Sequence, residues 1–285
     1  MLDISRNTPA WLRRWLAALC ILVAVPAAWA QPSAAGSAQT VIHMLDYVSV
    51  DYPEFVQDGK VLDQPEYEEQ LEFARQSLEL LRRMPDAPEK AALVAKAGQL
   101  LARIEDKAPG AEVAGLARGV TADVIRIYDV AVAPRRAPDL QRAAALFQAQ
   151  CAACHGAQGR GDGPAAQGMD PPASNFHDEA RMRQRSVYGL YNTITLGVGG
   201  TPMRGFTELS EADRWALGFF VAGLRVAPQA VERGEALWNQ GVGKDELGNL
   251  RALVTITPLA AAAKGGADLE AVHALLLERP ATLDA

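Results

Sequence analysis

The chain has 285 residues, of which 49% are hydrophobic and 22% charged, so it can bury a sizeable core and is not a disordered chain. Its formal net charge is −6 and its pI is about 5.3, which argues against nucleic acid as a partner, because binding to phosphates requires a basic surface. Three cysteines and four histidines exclude a disulfide scaffold and a protein with several zinc sites. Abundant alanine favours helices, and we predict an all-α fold.

Residues 1–30 have the pattern of a secretory signal peptide. Basic residues precede an apolar run from Leu16 to Val25, and Ala28-Trp29-Ala30 resembles a cleavage site. The run is shorter than the roughly 20 residues that cross a bilayer, although an uncleaved membrane anchor remains the alternative. Cys20 lies inside the run and is interpreted as an apolar residue that leaves with the signal. The remainder is predicted to be exported to the periplasm.

The segment after the signal is predicted to be a helical bundle that follows a short leader. Residues 31–39 are small and polar and predict a flexible leader. Residues 40–132 predict the bundle, because apolar residues recur at three- and four-residue steps in three stretches. These three helices are expected to begin near Pro65, Pro88 and Ala111 and to be joined by turns that contain proline.

The rest of the chain divides at a linker, residues 133–138, which holds two prolines and two arginines. Residues 139–227 are predicted to form a second domain, with a helix from Asp139, a middle rich in Gly and Pro, and a closing helix from Ser210. Residues 228–285 predict a short helical tail.

The segment Cys151-Ala152-Ala153-Cys154-His155 carries the chemistry. It has the Cys-x-x-Cys-His pattern of covalent attachment of a c-type haem. Two thiols three residues apart can each bond one vinyl group of the same porphyrin, and the next residue can place an imidazole against the iron. A redox dithiol or half of a zinc site are the alternatives, but the first does not need the histidine and the second needs further ligands. We therefore predict one covalent haem c with His155 as an axial ligand.

The second axial ligand is predicted to be Met203, in the glycine-rich segment from Leu196 to Phe206. Glycine lets this loop pass close to a flat ring, and Pro202 stiffens the backbone next to the sulfur. A thioether ligand raises the reduction potential and, with histidine, is the usual pair in electron carriers. The rival ligands are Met169, Met182 and His177.

Around these ligands the second domain resembles class I cytochrome c. The segment from Leu146 to Cys151 is similar to the helix that runs into the haem motif in that family, and Asp213 to Phe220 is similar to its closing helix. Gly156 to Gly163 and Asp170 to Phe176 are similar to the loop beside the haem. The resemblance implies a six-coordinate, buried haem that carries one electron and does no bond chemistry.

The flanking regions show a second resemblance. His43 to Glu54 and Glu66 to Phe73 look like the exported part of bacterial fusion proteins that join a cytochrome c to an iron permease of the high-affinity ferric type. Gly234 to Trp238 and Ile256 to Pro258 are similar to the segment that these fusions place before the membrane part. The sequence lacks the Arg-Glu-x-x-Glu motif of the permease half. The resemblance therefore implies a stand-alone partner, a split gene product or a truncated fusion.

Acidic residues are concentrated between residues 46 and 79, where ten acids face two bases. Carboxylates suit a ferrous or ferric ion, and Glu68 and Glu72 would share a helix face at i and i+4. With Asp51 and Glu54 they form a candidate iron site. The alternative is an acidic helix face that is simply solvated.

Together these features predict a periplasmic electron carrier, not an enzyme, that serves iron uptake. Ferrous iron would reduce the haem, and ferric iron would pass to a permease, so the redox partner would lie in the periplasm or inner membrane. The alternatives are a general respiratory cytochrome that docks on a dehydrogenase or oxidase, a peroxidase, and an iron-binding accessory whose haem is structural. A peroxidase needs an open iron position, which Met203 would close.

Overall fold

The N-terminal region of this computed structural model, which describes residues 34–284, is a four-helix bundle. Its helices are α1 (Ala34–Phe55), α2 (Gln64–Arg83), α3 (Lys90–Glu105) and α4 (Gly110–Ile127). Each helix packs against the next, and α4 packs against α1, so the bundle closes on itself. A hairpin of two short antiparallel strands, β1 (Val56–Gln57) and β2 (Lys60–Val61), joins α1 to α2.

The bundle has one helix more than the three that the sequence predicts. Residues 41–50 of α1 are all buried except Asp46, so this helix has no polar face from which a helical period could be read. Helix α1 begins at Ala34, and Ala38 is fully buried, so residues 34–39 are helical and the prediction of a flexible leader is wrong for them. Residues 31–33 and the predicted signal peptide, 1–30, lie outside the described residues.

The other three helices begin close to the predicted positions. Asp63 caps α2 by accepting a hydrogen bond from the backbone N–H of Glu66 at 3.2 Å, and Pro65 lies in the first turn, where its missing N–H costs nothing. The side chains that fill the bundle are mostly aliphatic and are the ones that recur at helical spacing, such as Leu81, Leu100, Ile104, Val113, Val120 and Val124.

The second region holds the predicted haem motif. Its helices are α5 (Leu140–Gln150), α6 (Ala152–His155), α7 (Glu179–Met182), α8 (Val187–Leu196) and α9 (Glu211–Gly223). Asp139 caps α5 and Ser210 caps α9, as the sequence predicts. Helix α9 packs against both α5 and α8, and the ring of Phe147 on α5 lies 5.2 Å from the ring of Phe220 on α9.

The tail consists of α10 (Pro228–Asn239), α11 (Lys244–Leu247), α12 (Leu250–Thr255) and α13 (Pro258–Glu278). It packs onto the second region, because α13 contacts α9 and α12 contacts α8. Arg183 adds a bidentate ion pair to Glu270 of α13 at 2.8 and 2.9 Å. Within residues 34–284, no helix combines the length and apolar character that crossing a membrane requires.

His273 is expected to make the tail sensitive to acid. It is fully buried on α13, and neither ring nitrogen makes a hydrogen bond of normal geometry. Burial, helped by the charge of Arg225 and opposed in part by the backbone of Ile256 and Leu253, lowers its pKa to about 4. In the unfolded chain the histidine pKa is about 6.5, so as the pH falls His273 is protonated in the unfolded chain before it is protonated in the folded one. The free energy of unfolding should therefore fall by about 2–3 kcal/mol between pH 6.5 and pH 4.

The measurement is urea unfolding over this pH range for the wild type and for His273→Leu. The difference between the two profiles isolates the histidine from the carboxylates that titrate in the same range. A difference that does not change with pH would show that His273 is not held neutral by the fold.

Candidate haem site

The two cysteines of the motif lie on one helical turn. Helix α5 ends just before Cys151, whose backbone N–H donates to the carbonyl of Phe147 at 2.9 Å. The N–H of His155 in turn donates to the carbonyl of Cys151 at 2.9 Å, so α6 continues the same winding. Both Cys151 and Cys154 are free thiols with partly exposed side chains. Burial and the nearby Cys154 raise the pKa of the Cys151 thiol to about 11, so this thiol is protonated at neutral pH.

The imidazole of His155 is oriented for coordination through Nε2. Its Nδ1 lies 3.2 Å from the backbone carbonyl of Ser174. A carbonyl only accepts, so Nδ1 carries the proton and Nε2 keeps a lone pair for a metal, the arrangement found in histidine ligands generally. The ring also stacks on Phe176 at 4.6 Å, and burial lowers the pKa of His155, which favours the neutral form.

Glycines bring the following loop directly against this turn. Gly156 has a φ of +79°, in the region that favours glycine, and it ends α6. A Cβ at Gly163 would lie 2.3 Å from the carbonyl oxygen of Ala153, and the N–H of Gly163 donates to the carbonyl of Cys154 at 3.1 Å. The loop therefore braces the turn that presents the two thiols.

Met203 lies at the end of a tight loop that follows α8. Gly197 and Arg204 pair as an antiparallel bridge, and the N–H of Val198 donates to the carbonyl of Met203 at 2.8 Å. The N–H of Met203 is held by the hydroxyl of Thr201 at 3.1 Å. The side chain of Met203 is partly exposed and packs against the hydrophobic core, as Cys151 does.

The rival ligands are placed less favourably. Met182 is only 5% exposed and belongs to the hydrophobic core. The Nε2 of His177 lies 2.7 Å from the backbone carbonyl of Gln158, so this nitrogen is already bonded. Met169 is partly exposed but, unlike Met203, does not pack against the core. The donors that fit a haem c are thus two free thiols on one turn, an imidazole with Nε2 uncommitted and a thioether on a braced loop.

The four carboxylates of the candidate iron site do not form one site. Asp51 is buried and pairs with Arg181 at 2.9 Å and with Arg185 at 3.5 Å. Glu54 pairs with the same Arg181 at 3.5 Å. Both acids of α1 therefore contact arginines of the second region. They were predicted as iron ligands because the sequence shows their charge but not these partners.

Glu68 and Glu72 lie apart from that network, on the exposed side of α2. Gln64 donates to the carboxylate of Glu68 at 2.8 Å, and Gln76 donates to Glu72 at the same distance. Between residues 34 and 284, no group of three or more His, Cys, Asp or Glu side chains is arranged to hold a metal ion. The prediction of a single four-carboxylate site is therefore wrong for this structure.

The acids of α2 that do approach Asp51 are Glu66 and Glu69. Burial, followed by the negative charge of Asp63 and then of Asp51, raises the pKa of Glu66. Burial and the charges of Glu66 and Asp51 likewise raise the pKa of Glu69. Both residues lie within the predicted acidic segment, but the i, i+4 spacing favoured Glu68 and Glu72 as ligands. Only the packing of α1 on α2 shows which acids of α2 approach Asp51.

One side of α1 is bonded to α8, the helix that leads into the Met203 loop. Gln39 donates to the side-chain oxygen of Asn192 at 3.0 Å, and the hydroxyls of Tyr47 and Thr193 lie 3.2 Å apart. Between them on α1, His43 contacts the backbone of Gly197. These positions recur every four residues, so the bundle presents a continuous row of polar contacts to the second region.

Comparison with known families identifies both regions. Residues 140–225 match the cytochrome c family, and residues 28–131 match the iron permease-associated 4-helix bundle domain. No curated protein and no solved structure matches the chain significantly. The match of residues 140–225 to the cytochrome c family supports a covalently bound haem c and a role in electron transfer, and the match of residues 28–131 supports a link to iron uptake. The chain therefore carries a cytochrome c domain behind an iron permease-associated four-helix bundle, the arrangement of the cytochrome c–iron permease fusions that its sequence resembles.

Proposed function

We propose that the protein is a periplasmic electron carrier with one haem c, held by Cys151 and Cys154 and coordinated by His155 and Met203. It accepts electrons from ferrous iron and works beside an iron permease. The observation that carries the proposal is the docking of the iron permease-associated bundle onto α8, the helix that leads into the Met203 loop. An iron-linked domain and a candidate haem ligand are thus adjacent in one protein.

The residues around the candidate haem site favour an electron carrier over a haem enzyme. When bound, haem c supplies one-electron chemistry at its iron. The hydrogen bond from Nδ1 of His155 to Ser174 fixes the imidazole ring, and the bonds of Thr201 and Val198 fix the loop of Met203, so both side chains would be held in place to coordinate the iron. If His155 and Met203 both held the haem iron, no position would be left for peroxide, and electron transfer would be favoured over a peroxidase reaction.

The acidic face of the bundle supports ferrous iron as the donor. Glu68 and Glu72 are exposed on α2, and no ion pair joins either of them to another residue in the described part of the chain. Clustered negative charge raises the local concentration of a cation and its rate of encounter. Oxidation of one ferrous ion to ferric iron would release one electron, and a ferric haem held by Cys151, Cys154, His155 and Met203 would be its acceptor.

The test is rapid mixing of oxidised protein with ferrous iron at low salt, with haem reduction followed by absorbance. Wild type should be reduced at a rate that rises with iron concentration. Glu68→Gln with Glu72→Gln should slow this reduction roughly threefold or more, because two attracting charges are removed. The matched control is Glu232→Gln with Asp245→Asn, which removes the same charge from exposed tail positions and should change the rate less than twofold.

Two outcomes would contradict the proposal. Equal slowing by both double variants would show that the face of α2 has no special role. Reduction by ascorbate but not by ferrous iron would favour the alternative, a general respiratory cytochrome that docks on a dehydrogenase or oxidase.

A further inference from the structure

His43 of the bundle makes a buried hydrogen bond to the start of the Met203 loop. It lies on α1 and is 8% exposed, and its Nε2 is 2.8 Å from the backbone carbonyl oxygen of Gly197. Its ring meets the ring of Tyr47 edge to face at 5.1 Å, and its Nδ1 is buried without a partner. Because a carbonyl only accepts, Nε2 is the protonated nitrogen, and burial lowers the pKa of His43, which favours the neutral ring.

Gly197 lies at the base of that loop. It ends α8 with a φ of +76°, and it pairs with Arg204 across the loop. A Cβ at this position would lie 2.6 Å from the backbone carbonyl oxygen of Met203. There is therefore no room for a side chain at Gly197, and the hydrogen bond from the neighbouring Val198 N–H to the carbonyl of Met203 at 2.8 Å connects this turn to Met203.

The carbonyl of Gly197 depends on His43. At the end of a helix the last carbonyls have no partner within the helix and need one from outside. Among the described residues, His43 is the only hydrogen-bond partner of this carbonyl. Loss of the donor would leave a buried carbonyl unpaired at the base of the loop, which favours any conformation in which water can reach it.

We propose that His43 is a positioning residue for the axial ligand Met203, through which the bundle restrains the departure of that ligand from the haem iron. This inference rests on the proposed function, because it takes Met203 as the ligand. It adds a role for the bundle beside the restraints that Thr201 and Val198 place on the loop from within the cytochrome c domain. The bundle would then control how readily an outside ligand, or a conformational change, displaces Met203.

The test compares His43→Leu, which cannot donate, with His43→Gln, which keeps an N–H donor on a flexible chain. The probe is imidazole, which competes with the thioether for ferric haem in the purified holoprotein. His43→Leu should bind imidazole roughly five- to tenfold more tightly, the effect of one lost hydrogen bond, and its reduction potential should be lower because the thioether is bound less firmly. His43→Gln should bind imidazole within about twofold of the wild type.

The matched control is Gln39→Leu, which removes the contact one turn earlier on α1 to Asn192 and does not touch the loop. It should leave imidazole binding unchanged. If His43→Leu does not fold, His43→Asn, which is too short to reach Gly197, takes its place in the same assay. Equal imidazole affinity in the wild type and in the folded variant without the donor would overturn the proposal.

The absorption spectrum of the wild-type ferric protein distinguishes failure of this inference from failure of the proposed function. If wild-type ferric protein lacks the thioether–iron absorption band, Met203 is not the ligand and the proposed function fails in that part. If the band is present and the His43 variants do not alter imidazole binding, the proposed function stands and only the role of His43 is refuted.

Discussion

Replacing Met203 with Leu is expected to abolish the sulfur-to-iron absorption band at the red end of the visible spectrum of the ferric protein. The reduction potential should fall in the same variant, because a thioether ligand stabilises ferrous haem. Leucine has nearly the volume of methionine but no donor atom, so the loop, held through backbone bonds to Val198 and Thr201, should keep its conformation. The effect is therefore on the ligand and not on the fold.

The matched control is Met182→Leu. Met182 is buried among core side chains, so this change should cost less than about 1.5 kcal/mol of stability and leave the absorption band intact. Met169→Leu tests the remaining sulfur with a partly exposed side chain. If the band survives in Met203→Leu and is lost in Met169→Leu, the ligand assignment moves to the other loop.

A second consequence concerns the reaction class. In Met203→Leu one axial position would no longer be filled by the protein, and peroxide could reach it. The wild type should turn over peroxide slowly, and the variant should do so faster. Peroxide turnover by the wild type at the rate of the variant would mean that Met203 does not close the site.

The haem motif could be predicted from the sequence because its chemistry is local. Cys151, Cys154 and His155 lie within one turn, and covalent attachment requires only their spacing. The prediction of Met203 rests on a related signal, since glycine and proline mark a loop that can approach another group closely. In the structure this segment is a loop closed by the bridge between Gly197 and Arg204.

The partners of the acidic residues could not be predicted in this way. Asp51 and Glu54 lie more than 120 positions before Arg181 and Arg185, and only the packing of α1 on the second region brings them together. Helix α1 itself was missed because burial on nearly every side removes the periodicity on which helix prediction depends. The haem motif could be predicted because it is local in sequence, whereas the contacts between the two regions depend on tertiary structure.

The connection between the bundle and the second region depends most on Arg185. Its side chain is 6% exposed, and it pairs with Asp46 at 2.8 Å and with Asp51 at 3.5 Å. Its guanidinium also lies 4.4 Å from the centre of the Tyr47 ring, an attractive position for a cation. Arg185 thus neutralises two poorly hydrated carboxylates of α1 at once.

Arg185→Met is expected to lower the free energy of unfolding by about 3–5 kcal/mol, the usual cost of removing one partner from a buried ion pair. The methionine fills much of the volume, so the loss comes from the uncompensated carboxylates more than from a cavity. Urea unfolding, followed both by helical circular dichroism and by haem absorbance, would show whether the two regions still unfold together. In Arg185→Met the transition followed by circular dichroism and the transition followed by haem absorbance should have different urea midpoints.

A control variant and a compensating double substitution make this prediction specific. Arg75→Met breaks an ion pair with Glu105 in which both side chains are about half exposed, so it should cost less than about 1 kcal/mol. Adding Asp46→Asn and Asp51→Asn to Arg185→Met removes the unpaired charges and should restore much of the lost stability. If Arg185→Met costs no more than Arg75→Met, the ion-pair network does not hold the bundle against the second region. The restraint of the Met203 loop would then depend on the hydrogen bonds of α1 alone.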